Sequence, residues 1–278
     1  MEGIVMATSA GIDYSFLRQI VLRESQNVLD PSCDYLFETH LSLLLRHLGM
    51  SQIDDLIRHL RVRKDADLER AVAEAMTIKE TSFFRDSRSF DLLSAELLPA
   101  LVKARRFSRS LRFWSAACST GQEAYSLALL LREHFSKGGA WNIRVEGTDI
   151  SSEAIERARR GVYYRIEMNR GLPARHIARY FEHAGENWIV KPEIRQLCHF
   201  QQANLCQSPL PFDEQFDVIF LRNVMLYFSH ETRSTLLAAI HRMLAPDGIL
   251  FLGSAEQPPE TSLWTAVLAG GACYYKPR

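Results

Sequence analysis

Residues 111–131 read LRFWSAACSTGQEAYSLALLL. Leu111 to Ala117 is an apolar run of the length of a buried strand, and from Gln122 onward a helix is expected. Between them, Ser115 to Gly121 are all small residues. A strand that turns through short side chains into a helix is the first half of a βαβ unit. Small residues let a ligand approach the backbone, and a helix start presents unclaimed N–H groups. The turn holds one glycine, too few for the G-x-G-x-x-G pyrophosphate fingerprint. A nucleoside cofactor without phosphates fits better.

Downstream, RVEGTDI (144–150) is a second strand, and Asp149 at its end can accept from both ribose hydroxyls of an adenosine. S-adenosylmethionine matches this pair of features. The plainer reading, in which Asp149 caps the helix opening near Ser152, stands beside it. That helix ends near Gly161; then come FDVIFLRN (216–223), a helix through ETRSTLLAAIHRML (231–244), the turn PDG (246–248) and the strand ILFLGS (249–254). Strands alternating with helices at this spacing form a parallel sheet covered on both faces. Residues 162–204 break the rhythm. One short helix, PARHIARYF, and two strand-like runs, NWIVK and CHFQQAN, read as a small insertion on the sheet edge. QPPE (257–260) reads as a loop before the last strand.

Upstream, residues 13 to about 75 read as helices. Asp13 is a candidate cap for the first, CDYLFETHLSLLLRHLG (33–49) is a second that stops at Gly49, and Ser51 is a candidate cap for the third. DADLERAVAEAM (65–76) is the last, and it runs into TIKETSFFRD (77–86). Phe83 and Phe84 are adjacent, so neither a strand nor a helix would turn both toward one small core.

Lys plus Arg and Asp plus Glu number 33 each, so no net field draws the chain to nucleic acid or an anionic membrane. No apolar run reaches bilayer length, and MEGIVMATSAGIDYSF lacks the blocks of a signal peptide. Five scattered cysteines without a C-x-x-C pair point away from a disulfide framework or a metal site and toward the cytoplasm. Arg222 and Asn223 follow DVIFL at the carboxyl end of a strand, where open α/β sheets bind ligands. Taken singly, Arg222 reads more simply as a surface ion pair, and Tyr227 as a core aromatic with a solvated hydroxyl.

TIKETSFFRD, FWSAACSTGQEAYSLAL, GTDIS, RGLP…YF, ANL and FDVIFLRNVMLYF stand in the order and spacing of the CheR-type chemotaxis-receptor glutamate methyltransferases. The chain resembles that family over nearly its whole length. The resemblance implies an α/β fold: a helical N-terminal domain (1–88) and a Rossmann-like methyltransferase domain (89–278), with an antiparallel β subdomain inserted at about 162–202. It implies S-adenosylmethionine as cofactor and S-adenosylhomocysteine as product. Thr81, Arg85, Glu123, Asp149, Asn204, Leu205, Leu221 and Arg222 would bind the cofactor. Arg85 and Tyr227 would flank the reacting centre, and the two phenylalanines would pack in the domain join. The implied partner is the cytoplasmic helical domain of chemoreceptors, met by a monomer. A non-catalytic regulator that keeps the pocket, and a methyltransferase for another protein, are the alternatives.

The chain departs from the family pattern in four places. Ala124 follows the glutamate of the small-residue loop, where proline is common. Lys79 stands where asparagine is usual, and it is expected to turn outward. In the second helix His40, Leu44 and Arg46 occupy the places of three arginines, so two of the three are missing, although Arg58, Arg61, Arg63 and Lys64 lie nearby. The stretch between Phe181 and Phe200 is short, which resembles members that do not use a receptor tether peptide.

Overall fold

The computed structural model describes residues 12–136 and 139–278. The expectation about a leader falls mostly on residues 1–11, outside those described. The chain divides into two compact units, residues 1–77 and 78–278.

In the first unit come α1 (Tyr14–Ser25), a 3-10 turn (Pro31–Cys33), α2 (Tyr35–His40), α3 (Ser42–His47), α4 (Ile53–Val62) and α5 (Ala66–Ala75). Leu17, Val21, Phe37, Leu41, Leu56 and Val72 form its centre, all fully buried. The single helix expected over 33–49 is instead two, broken at Leu41. There the Ser42 hydroxyl donates to the Thr39 carbonyl at 2.8 Å and competes with the helical ladder. Asp13 sits at the start of α1 but takes the Ser15 hydroxyl and pairs with Arg61 instead of accepting an amide. Ser51 does not cap either. Gln52 holds the cap position of α4, and the Ser51 hydroxyl points to Asp55.

The second unit opens with α6 (Arg88–Leu92), which runs through a π turn (Leu93–Leu97) into α7 (Leu98–Ala104). Then follow β1 (Ser110–Ala116), α8 (Gln122–His134), β2 (Asn142–Asp149), α9 (Ser152–Arg160), β3 (Val162–Tyr164), α10 (Arg165–Met168), α11 (Ala174–Tyr180), β4 (Phe181–Ala184), β5 (Asn187–Val190) and α12 (Pro192–Arg195). The chain finishes with β6 (Cys198–Gln202), β7 (Phe216–Leu221), a 3-10 turn (Met225–Tyr227), α13 (His230–Met243), β8 (Leu244–Leu252), β9 (Trp264–Ala269) and β10 (Ala272–Pro277).

Seven strands form one sheet in the order β6-β2-β1-β7-β8-β10-β9, the first five parallel, β10 antiparallel to β8, and β9 antiparallel to β10. From β1 the chain builds outward first to β2 and β6, then on the other side to β7 and β8. That reversal is the switch point at which such sheets leave a crevice at their carboxyl ends. Every residue of β7 is buried, as a central parallel strand requires. Phe113, Val145, Val218 and Phe220 face one layer of the core, and each buried side chain of this size stabilises by roughly 1.5–3 kcal/mol. Trp114 lies fully buried on the opposite face and satisfies its indole N–H on the Thr148 hydroxyl at 2.9 Å.

Three elements differ from the sequence reading. CHFQQ is not part of the insertion: it pairs parallel to β2 and forms the edge of the main sheet, with Cys198 and Phe200 turned into the core. The antiparallel piece is therefore β3, β5 and β4 alone. PDG does not precede a separate strand. It is absorbed into β8, whose pairing with β7 shifts register between Phe216 and Val218. The end of the chain is a hairpin, β9 and β10 joined at Gly270–Gly271, rather than one strand. Among the described residues, no helix is long and apolar enough to cross a membrane.

Candidate active site

The turn after β1 is shaped by left-handed backbone at Ala117, Ser119 and Gly121. Asp149 closes it. One carboxylate oxygen accepts the Ser119 amide at 2.8 Å and the other the Ser151 amide at 2.9 Å. Asp149 does not cap α9, because the Ser151 hydroxyl does that by accepting from Ala154. The Asp149 carbonyl accepts from Ala203, which sets Asn204 directly beside this corner. The Asn204 side-chain oxygen accepts the Cys206 amide, and Leu205 is buried in the core under α13.

At the neighbouring strand end, Arg222 follows Leu221, the fully buried last residue of β7. Its side chain is 1% exposed and reaches Glu123 in the first turn of α8 at 3.1 Å. The guanidinium also donates to the Arg85 carbonyl at 2.8 Å and to Asp86 at 2.7 Å. Arg222 is thus a buried hub and not the surface pair suggested by the residue alone. Glu123 also accepts the Ser115 hydroxyl at 2.7 Å. Burial pushes the Glu123 carboxyl above its ordinary value, while Arg222 and Ser115 pull it back.

The segment Lys79–Asp86 lies across these loops as a strap with several anchors. Ser119 donates to the Lys79 carbonyl at 2.9 Å, and the Phe84 amide donates to the Ser126 hydroxyl at 2.9 Å. Arg170 pairs with Glu80, and Lys79 pairs with Glu153 at 2.7 Å. Lys79 therefore turns to α9, and its hydrogen bond holds the Glu153 carboxyl below the usual range. The two phenylalanines separate because Phe84 adopts a left-handed φ of 48°. Phe83 is fully buried, edge-on to Tyr163 at 5.0 Å and to Phe181 at 5.7 Å. Phe84 turns instead to Phe90, 5.3 Å away, and to His176. All these partners belong to residues 78–278.

RGLP supplies the seat for the strap. Gly171 has a φ of +88°, and a Cβ there would sit inside the van der Waals radius of the Phe83 carbonyl oxygen. Gly171→Ala is expected to destabilise the protein by roughly 2–3 kcal/mol, from left-handed strain and overpacking together. Urea unfolding checks this, and an unchanged midpoint would show that the strap is not seated there.

Thr81 is half-buried on the strap, and the Arg85 side chain, also half-buried, donates to the Glu80 carbonyl at 3.0 Å. Tyr227 is half-exposed at the end of the 3-10 turn that follows Arg222 and Asn223. The sequence reading missed Glu256. It is 9% exposed, and its carboxylate accepts three backbone amides: Asn223 at 2.7 Å, Met225 at 2.8 Å and Gly253 at 2.8 Å.

These groups suit a cationic nucleoside. Asp149 and Glu123 stand at the strand ends, two carboxylates that complement a cationic cofactor, and the one lysine of the strap is drawn off by Glu153. Each oxygen of a carboxylate can accept more than one hydrogen bond, so the amide anchors on Asp149 are compatible with a ribose contact. A reversed parallel sheet with a small-residue first turn and an acid ending the second strand defines an S-adenosylmethionine-dependent methyltransferase of the Rossmann-like type. The chain belongs to the CheR methyltransferase family: the profile of its S-adenosylmethionine-binding domain matches residues 79–270. The chain is 36% identical over 254 residues to chemotaxis protein methyltransferase 1 of Pseudomonas aeruginosa, covering 90% of this chain and 91% of that protein. It is 34% identical over 217 residues to the chemotaxis protein methyltransferase of Escherichia coli, covering 76% and 72% respectively.

Proposed function

We propose that the protein methylates glutamate side chains on the helical cytoplasmic part of chemoreceptors, forming methyl esters and S-adenosylhomocysteine. The observation that supports this reading is the strap, which is tied across the strand ends by Ser119 and by Arg222, the latter donating to the Arg85 carbonyl and to Asp86. Bound S-adenosylmethionine supplies a methyl group on a positively charged sulfur. A glutamate, with an ordinary pKa near 4.3, is already a nucleophilic carboxylate at neutral pH, so no general base has to be supplied. The protein's part is alignment and exclusion of water. Asp149 and Asn204 would hold the nucleoside end, and Glu123, with Thr81 and Arg222, the methionyl end. Arg85 would hold one oxygen of the acceptor carboxylate, and Tyr227 would donate a hydrogen bond or set its ring near the cation.

The helical unit gives reason to consider a different protein substrate. The His40 ring lies 3.2 Å from the Ala75 carbonyl, and Leu44 packs against the helical core, which leaves Arg46 exposed on that face. Of the nearby basic residues, Arg58 pairs with Asp55 and Arg61 with Asp13. We read the short inserted subdomain as working without a receptor tether peptide, and the protein as a monomer.

Incubation with methyl-tritiated cofactor and a receptor cytoplasmic fragment is expected to give label that leaves as methanol in base. Base-stable label would point to another acceptor atom, and cofactor binding without any transfer would favour a regulatory role.

A further inference from the structure

Asn223 has a φ of 60°, a left-handed conformation that asparagine tolerates better than other residues with a Cβ, and its amide is held there by a distant side chain. That group is Glu256, 33 residues away. One oxygen of Glu256 accepts both the Asn223 and the Gly253 amides, and the other accepts the Met225 amide. The Glu256 amide returns a bond to the Gly253 carbonyl at 2.9 Å, which closes the loop after β8 on itself. Gly253 leaves no room for a side chain. A Cβ there would lie 2.6 Å from the Glu256 carboxylate and 2.9 Å from Asn223 Nδ2. The ends of β7 and β8 are thus joined by one carboxylate, at the turn that carries Arg222 on one side and Tyr227 on the other.

We propose that Glu256 is a positioning residue for methyl transfer. Acting through the Asn223 and Met225 amides, it fixes the turn that follows Arg222 so that Tyr227 meets the acceptor. This rests on the reading of Tyr227 as lying beside the reacting centre. Misplacement of aligned groups by an ångström can cost about 100-fold in rate. A merely structural buried carboxylate would instead lower stability without a selective effect on turnover.

Glu256→Gln keeps size and shape but puts an NH2 where one oxygen accepts an amide. Its kcat with labelled cofactor and receptor fragment is expected to fall roughly 10- to 100-fold, while affinity for S-adenosylhomocysteine, read by calorimetry, changes by a few fold at most. Gly253→Ala leaves the carboxylate in place, crowds it, and should show the same split. Unchanged kcat in both folded variants, or equal losses in kcat and cofactor affinity, would overturn the proposal. If neither variant folds, amide exchange on the wild-type protein decides. Asn223, Met225 and Gly253 should exchange as slowly as β7, and fast exchange sinks the role. A wild-type protein that binds S-adenosylhomocysteine but transfers no methyl group removes the proposed function instead, and the exchange result then judges the Glu256 anchor separately.

Discussion

Arg85→Ala is expected to cut methyl transfer by about 100-fold or more, the scale seen when a preorganised charge-assisted contact to a reacting group is lost. Cofactor binding should weaken only partly, and the fold should hardly change. The reason lies in how the strap is tied. Arg222 grips the Arg85 backbone carbonyl and Asp86, and Ser126 receives the Phe84 amide, so none of these anchors uses the Arg85 side chain. Among the described residues, that side chain donates its hydrogen bond to the Glu80 carbonyl, at 3.0 Å. Removing it deletes a functional group from a strap that stays in place. Single-turnover transfer alongside calorimetry separates the two effects, and full turnover in the variant would discredit the role given to Arg85.

Arg222→Leu attacks the anchor itself. It strands Glu123, which sits in a largely buried position, and a buried charge left without its partner typically costs 3–5 kcal/mol. The loss should depend on pH, with a definite sign. Burial already holds the Glu123 carboxyl above its ordinary 4.5, and Arg222 is the main influence pulling it down. Without Arg222 the folded protein binds that proton still more tightly than the unfolded chain does. Stability present below about pH 4.5 is then lost as pH rises through the higher folded value. The gap between variant and wild type should therefore widen from pH 5 to pH 8 in urea unfolding. A constant gap would mean that the Arg222–Glu123 contact is not what Arg222 contributes.

What could be read from the chain depended on whether side chains or backbone carried the signal. The alternation of apolar strands and helices from Leu111 onward was legible because a doubly covered parallel strand is a continuous apolar run, as in β7. β6 was not, because CHFQQ buries only alternate residues and lies next to the insertion in sequence. The terminal hairpin carried a Gly-Gly signal that the loop reading of QPPE passed over. At the break at Leu41 the Ser42 hydroxyl bonds to the Thr39 carbonyl, a local contact that hydrophobic periodicity does not register. In the site, Asp149 drew notice as a carboxylate ending a strand, whereas Glu123 and the cofactor role of Arg222 came only with the family resemblance. Glu256 gave no such signal, because its partners are three backbone amides, which leave no pattern of residue types. The neighbouring phenylalanines posed a puzzle that periodicity could not solve, since the answer is a left-handed φ at Phe84.

The anchors that hold Lys79–Asp86 are Glu153, Ser119, Arg170, Ser126 and Arg222, and all of them fall after residue 78. Residues 78–278 thus carry both the loops at the strand ends and the segment that closes over them.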